Sequence, residues 1–193
     1  MNSFRKKMKD NSGFTLVEIA IVMVIIGLLI GGVLKGQEMI KNAKIKRVVK
    51  TSDEMRAAIF TYQDRFGYLP GDDPLATTHL AGAAGVANGD GDGTIEAAED
   101  EDVFIHLATV GLISGDPAGF ASSFPSHPFG GTYSVLYANR SGKSSNWITY
   151  TLLPADVALA IDTSLDDGVA TTGSIRASAA YGGTAPLTVY VDL

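Results

Sequence analysis

Gly13-Phe14-Thr15-Leu16-Val17-Glu18 opens an apolar run that continues to Leu34 with Glu18 as its only charged residue. From Phe14 to Leu34 there are 21 residues, and about 20 apolar residues carry an α-helix across the hydrocarbon core of a bilayer. A carboxylate inside hydrocarbon costs roughly 2.5 kcal/mol or more. Glu18 therefore either stays wet at the membrane interface or makes a contact that offsets the cost.

The residues before the run are as informative as the run. MNSFRKKMKDNSG, residues 1–13, sets Arg5, Lys6, Lys7 and Lys9 against Asp10, a basic polar leader of net charge +3. A secretory signal has its small-residue cleavage site after the apolar segment, whereas here the run passes directly into Lys35-Gly36-Gln37-Glu38. The natural cut lies before the run, between Gly13 and Phe14.

This arrangement of basic leader, Gly13, Phe14-Thr15-Leu16-Val17-Glu18 and uninterrupted apolar helix resembles the type III signal of type IV pilins and type II secretion pseudopilins. The resemblance implies that a prepilin peptidase cuts after Gly13 and methylates the amino terminus of Phe14. It implies that Glu18, the fifth residue of the mature chain, pairs with the terminal ammonium of a neighbouring subunit, so that neither charge is buried alone. It also implies a single-pass protein of the bacterial inner membrane, with its head in the periplasm, drawn by an inner-membrane assembly platform into a helical filament of like subunits.

Beyond the membrane segment, Ile45, Val48, Ser52, Met55, Ile59, Tyr62 and Phe66 recur at intervals of three and four, which places them on one stripe of a helix. Gly67 and Pro70-Gly71 end it. A helix over 14–66 would be roughly 80 Å long at 1.5 Å per residue, with its first part in a membrane or a protein core and its second part offering an apolar stripe for a small sheet to cover. Gly27, Gly31, Gly32 and Gly36 form two small-xxx-small pairs that suit close helix contacts or are ordinary membrane-helix glycines.

Charge follows the same division. Residues 35–56 hold seven basic and three acidic side chains, a neck of +4; residues 57–193 hold four basic and sixteen acidic ones, a head of −12. The basic neck is either a solvated helix face or a surface for an acidic neighbour or anionic lipid headgroups. The chain has no cysteine, so the head is built without disulfides although its expected compartment permits them. At 193 residues the chain accommodates one sizeable head besides the long helix.

Within the head, Asn88-Gly89-Asp90-Gly91-Asp92-Gly93-Thr94-Ile95-Glu96-Ala97-Ala98-Glu99 matches the twelve-residue calcium loop at its oxygen positions 1, 3 and 5, its turn glycine, its apolar eighth residue and its final Glu. Asn88 stands where Asp is usual. Calcium takes six to eight hard oxygen ligands, which Asn88, Asp90, Asp92, Glu99, the Thr94 carbonyl and Glu96 through water would supply. The alternative is a Gly/Asp-rich turn needing no metal. Helical periodicity through Val103, Phe104, Leu107 and Val110, ended by Gly111, suits the exit of such a loop, while Ala81-Gly82-Ala83-Ala84-Gly85 offers no entering helix. This is the pattern of a lone structural loop.

A further acidic group, Asp162, Asp166 and Asp167, follows an expected short helix over 154–161; it caps a turn or holds a second cation. Tyr-, Val-, Ile- and Thr-rich stretches at 132–138, 147–153, 173–178 and 187–191 read as strands. The expected fold is α+β: a long N-terminal helix against a small antiparallel sheet, divided into leader 1–13, membrane and polymerisation helix 14–34, amphipathic continuation 35–66 and acidic head 67–193. His79, His106 and His127 are scattered, no H-E-x-x-H or G-x-S-x-G occurs, and no cysteine nucleophile exists, so an enzyme is not expected. The acidic head lacks the basic footprint of a nucleic-acid binder. The expected function is a structural subunit of a pilus-like or pseudopilus filament; the alternative is a membrane-anchored, calcium-stabilised adhesin or binding module.

Overall fold

The computed structural model describes residues 14–121 and 123–193; the leader, with Gly13, lies outside them. Helix α1, Leu16–Phe66, is continuous over 51 residues. It stops where the sequence says it should, because Gly67 takes φ +84° and its N–H closes on the Gln63 carbonyl at 2.7 Å.

The helix contributes to two structural units. The first comprises the described residues through Asn42. In it every side chain from Phe14 to Lys35 is exposed, Leu16 by 90% and Leu28 by 73%. The apolar stretch is long and apolar enough to cross a membrane. Water is a poor solvent for such a surface, since an apolar side chain gains roughly 1.5–3 kcal/mol on leaving it.

The second unit, Ala43–Leu193, carries the core. From α1 it buries Val48, Ser52, Met55, Ala58, Ile59 and Tyr62, the face expected from the three-four spacing, with Ile45 and Phe66 half-buried at its ends. Ser52, the polar break in that stripe, lies 2.6 Å from the Tyr150 hydroxyl, so the interruption is a buried hydrogen bond between helix and sheet. After α1 come α2 (Ala76–His79), α3 (Asp100–Thr109) and α4 (Pro117–Phe120), then strands β1 (Tyr133–Arg140) and β2 (Lys143–Leu153), helix α5 (Ala155–Leu165), and strands β3 (Ile175–Ala177) and β4 (Leu187–Asp192).

The four strands form one antiparallel sheet in the order β1-β2-β4-β3. Strand alternation sends Val135, Ile148, Val189 and Ile175 to the core, where they meet α1, α3 and α5. All four strands coincide with expected stretches, but β1 and β2 run further and meet in a two-residue hairpin. Its Ser141 and Gly142 both have positive φ, 48° and 88°, as such turns require. Helices α3 and α5 likewise match expected elements, whereas the four-residue α2 and α4 are too short to show periodicity. The architecture is the α+β, pilin-like one that the sequence led us to expect.

Candidate functional site

The first site is the start of α1. Thr15 Oγ1 accepts a hydrogen bond from the Glu18 N–H at 3.2 Å, while the Glu18 carboxylate accepts from the Thr15 N–H at 2.9 Å and from its hydroxyl at 2.8 Å. This reciprocal arrangement is a capping box, which satisfies amide groups that otherwise have no partner in the first turn. Thr-x-x-Glu is legible in the sequence as that motif. Glu18 thus has a local role, in addition to any contact between subunits. Phe14, the residue at the expected new terminus, is 84% exposed directly before this turn. A positive amino terminus at Phe14 would stand at the same end of α1 as the Glu18 carboxylate.

The second site is the loop 88–99, and here the structure adds a residue. Asp72, buried and distant in sequence, points into the loop: its Oδ1 accepts from the Gly91 and Asp92 N–H groups at 2.6 and 3.1 Å, and its Oδ2 from the Gly93 N–H at 2.8 Å. Asp90 and Asp92 each accept from the N–H two residues on, at 3.1 and 2.7 Å, which curls the loop around its own carboxylates. Glu99 closes it, accepting from the Asp90 and Glu96 N–H groups at 3.2 and 3.1 Å. Oxygens of Asp72, Asp90 and Glu99 lie within 4.8 Å of one another, as do those of Asp90, Asp92 and Glu96.

Asn88 is placed differently. Its side-chain oxygen accepts from the Thr77 N–H of α2 at 2.8 Å. While the Asn88 oxygen is engaged by Thr77, Asp72 joins the oxygens of Asp90 and Glu99. No spacing rule could have found it, because it enters from outside the twelve-residue window. Gly89 explains the close approach: a Cβ there would collide with the Asp72 backbone. Thr94 and Glu96 stay at the exposed rim, where the Thr94 hydroxyl bridges Asp92 at 2.7 Å and Glu96 at 2.9 Å.

Electrostatics reflect the crowding. Burial, opposed by the bonds from Gly93, Gly91 and Asp92, pushes the Asp72 carboxyl up. Burial also raises Glu99, to about 7, with the Asp72 charge adding to the effect. Exposed Asp92 is held below the usual carboxylate range by its bonds to Thr94. The loop is anchored to the rest of the head by Ile95, fully buried, whose N–H donates to Asn146 Oδ1 at 3.0 Å and whose carbonyl accepts from the Tyr137 N–H at 2.7 Å. His106, on the exit helix α3, accepts from the Gly71 N–H at 2.9 Å and meets the Ala87 carbonyl at 3.1 Å, tying together the segments that lead into Asp72 and Asn88.

The third acidic group is built as a turn. Asp162 Oδ1 accepts from the Gly168 N–H at 3.1 Å and its Oδ2 from the Tyr181 hydroxyl; Asp166 accepts from the Ser174 and Ile175 N–H groups; Asp167 accepts from the Val169 N–H and the Thr172 hydroxyl. Each carboxylate organises backbone leading into β3, and oxygens of the three lie within 4.8 Å of one another, so the turn and the second-cation readings both stand. The three histidines occupy separate places: His79 pairs with buried Asp73 at 2.7 Å, and His127 meets the Thr151 carbonyl at 2.7 Å.

Residues 8–34 match the family described as Prokaryotic N-terminal methylation motif. No curated protein and no solved structure matches the chain. The match covers the last six residues of the leader, the Gly13-Phe14 junction, the capping box and the exposed apolar stretch to Leu34. The chain therefore carries a prepilin-type signal, the feature by which type IV pilins and pseudopilins are substrates of prepilin peptidase, at the start of an α+β chain of pilin-like architecture.

Proposed function

We propose that the chain is a non-enzymatic filament subunit, cut after Gly13, methylated on Phe14 and assembled through α1 into a type IV pilus or a type II secretion pseudopilus. The observation that supports it is a methylation motif set on a helix whose apolar residues from Leu16 to Leu34 are all exposed. Such a surface is stable only in lipid or against other protein. In this reading the span holds the subunit in the inner membrane until the assembly platform withdraws it, with the head in the periplasm.

Glu18 has two successive duties in that scheme. In the single subunit its carboxylate caps the first turn; in the filament it faces the Phe14 ammonium of a neighbour, and the pair sets register because either charge alone would be costly in an apolar surround. Mass spectrometry of membrane-extracted protein should find an N-methylated Phe14 as the first residue. An intact Met1 in cells with an active peptidase would sink the processing claim. Glu18→Ala should leave cleavage intact and abolish filaments; normal filaments from that variant would refute the pairing role.

We further propose that loop 88–99 holds calcium as a structural ion. The donor set is hard oxygen throughout: Asp90, Asp92, Glu99 and the Thr94 carbonyl from the motif, joined by Asp72, with Glu96 acting through water and Asn88 engaged by Thr77. A divalent cation would neutralise carboxylates that otherwise crowd one another, and would stiffen the head rather than supply chemistry. Calorimetry of the full chain in detergent should show calcium binding that is lost in Asp92→Ala and in Asp72→Asn. No heat from the unmutated chain would leave the loop a metal-free turn. The adhesin alternative is supported by the same stiffened loop, and imaging of sheared surface filaments with antibody to this chain separates it from a main filament subunit.

A further inference from the structure

The −12 head has only four basic residues, Arg65, Arg140, Lys143 and Arg176, and three of them meet at one place. Arg140 ends β1 and Lys143 begins β2, and the tight Ser141-Gly142 turn makes them direct cross-strand partners. Like charges directly opposite in an antiparallel pair repel, so the hairpin keeps an arrangement that folding disfavours. Arg176 of β3 approaches the same hairpin, donating to the Arg140 carbonyl and to the Ser141 carbonyl at 3.0 Å.

All three lie on the sheet face that points away from α1, over aromatic rings. The Arg140 guanidinium stands 4.0 Å from the Tyr190 ring centre, and Lys143 and Arg176 stand 5.6 and 5.8 Å from that of Trp147. Trp147 is fully buried, yet it is no part of the core cluster around α1. It is roofed by cations instead. Asp192 forms an ion pair with Lys143, so the three cations outnumber the one carboxylate bonded to them among the described residues. Arg140 Nε and Asp192 Oδ1 are buried without a hydrogen-bond partner among the described residues. That Nε is enclosed and closed to an incoming group; what the patch presents at its surface is half-buried Arg140 and Lys143, and the fork of Arg suits carboxylates in particular.

We propose that this patch docks the carboxylates of a second copy's head. Charge complementarity selects the occupant: the rest of the head offers acidic side chains in excess, with exposed Glu101 between half-buried Asp100 and Asp102 in one stretch beyond the proposed calcium ligands. Packing −12 heads side by side is self-repulsive unless each presents a cationic surface to the next. Patch and acidic stretch are different surfaces of one head, so the contact is heterologous, the type that propagates instead of closing. The inference rests on the filament reading for the setting in which heads meet, but not for its geometry.

The test uses the full-length chain, purified in two isotope-labelled forms, mixed in detergent and reconstituted at high density in vesicles. A carbodiimide joins an amine to a carboxylate only where they touch. Lys143 should appear in cross-links between differently labelled chains, joined to a carboxylate within residues 57–193, and high salt should reduce these links several-fold. Lys143→Arg should abolish them by removing the amine. Arg140→Ser should reduce them several-fold while the same-chain Lys143–Asp192 link persists, which shows that the hairpin is still folded. Mixed-label links from neck lysines without any from Lys143, or an unchanged yield in Arg140→Ser, would overturn the proposal, as would the absence of mixed-label links altogether. The filament reading fails separately, by an unmethylated Phe14 and no filaments in cells, whatever the vesicles show.

Discussion

His106 shows how much one side chain can settle in this head. Its ring lies 5.9 Å from that of Tyr62 and is fully buried, with Nδ1 accepting from Gly71. An imidazole that accepts on one nitrogen must be neutral there, and burial accordingly holds it below its ordinary value of 6.5. The unfolded chain takes up a proton near that pH and the folded chain refuses it. The contribution of His106 is therefore complete above about 6.5 and is lost as the pH falls below it. His106→Asn should cost about 1–2 kcal/mol at pH 8, and unfolding titrations should show the deficit shrinking in mild acid. A deficit independent of pH would refute the neutral-acceptor role. Sequence alone placed His106 on a helix; it could not show that the ring spans two loops, because the partners are backbone groups of Gly71 and Ala87. Glu18 was legible as a charge out of place, whereas its capping of the first turn was read only from the structure, although Thr-x-x-Glu carries that signal.

At the scale of elements, the joint between α1 and β2 turns on Ser52 and Tyr150. Removing either hydroxyl strands the other in the core, so Ser52→Ala and Tyr150→Phe should each destabilise the chain by about 1–3 kcal/mol. The double variant should be less destabilised than their sum, and strict additivity in denaturant unfolding would show that the bond contributes nothing of its own. The helices and strands were readable because their residues repeat at 3.6 and 2. The stripe from Ile45 to Phe66 and the four strands carry those periods plainly, whereas Ser52 looked like a flaw until its partner 98 residues away was known. The calcium-like loop behaved the same way: the motif singled out Asp90, Asp92 and Glu99, and the buried acid that accepts from the amides of Gly91, Asp92 and Gly93 came from another segment. Gly89→Ala is the sharpest probe of that element. A methyl group there must drive Asp72 away, so calcium binding measured by calorimetry should be lost together with part of the thermal stability. Retention of full affinity would place Asp72 outside the site.

For the molecule as a whole, charge is arranged by region: basic neck, acidic head and a small cationic patch at the β1-β2 hairpin. Long-range attraction between such regions is screened beyond about 10 Å at 0.1 M salt. Association of full chains in vesicles should therefore weaken as salt rises, and an association that is independent of salt would mean that apolar helix contacts alone hold copies together. This distribution was countable in the sequence, but the meeting of Arg140, Lys143 and Arg176 was not, since it depends on strand order. One consequence of the Asp72 contacts reaches beyond binding. Asp72 grips amides 19 to 21 residues ahead of it, so a carboxylate closes that length of chain into a ring. Closing a loop of this size costs chain entropy that the hydrogen bonds offset in the folded state, and unlike a disulfide it leaves the unfolded chain unrestrained. A ring fastened by oxygen and amide has no reduction potential, so thiols that would dismantle a cystine-built head should leave this one closed.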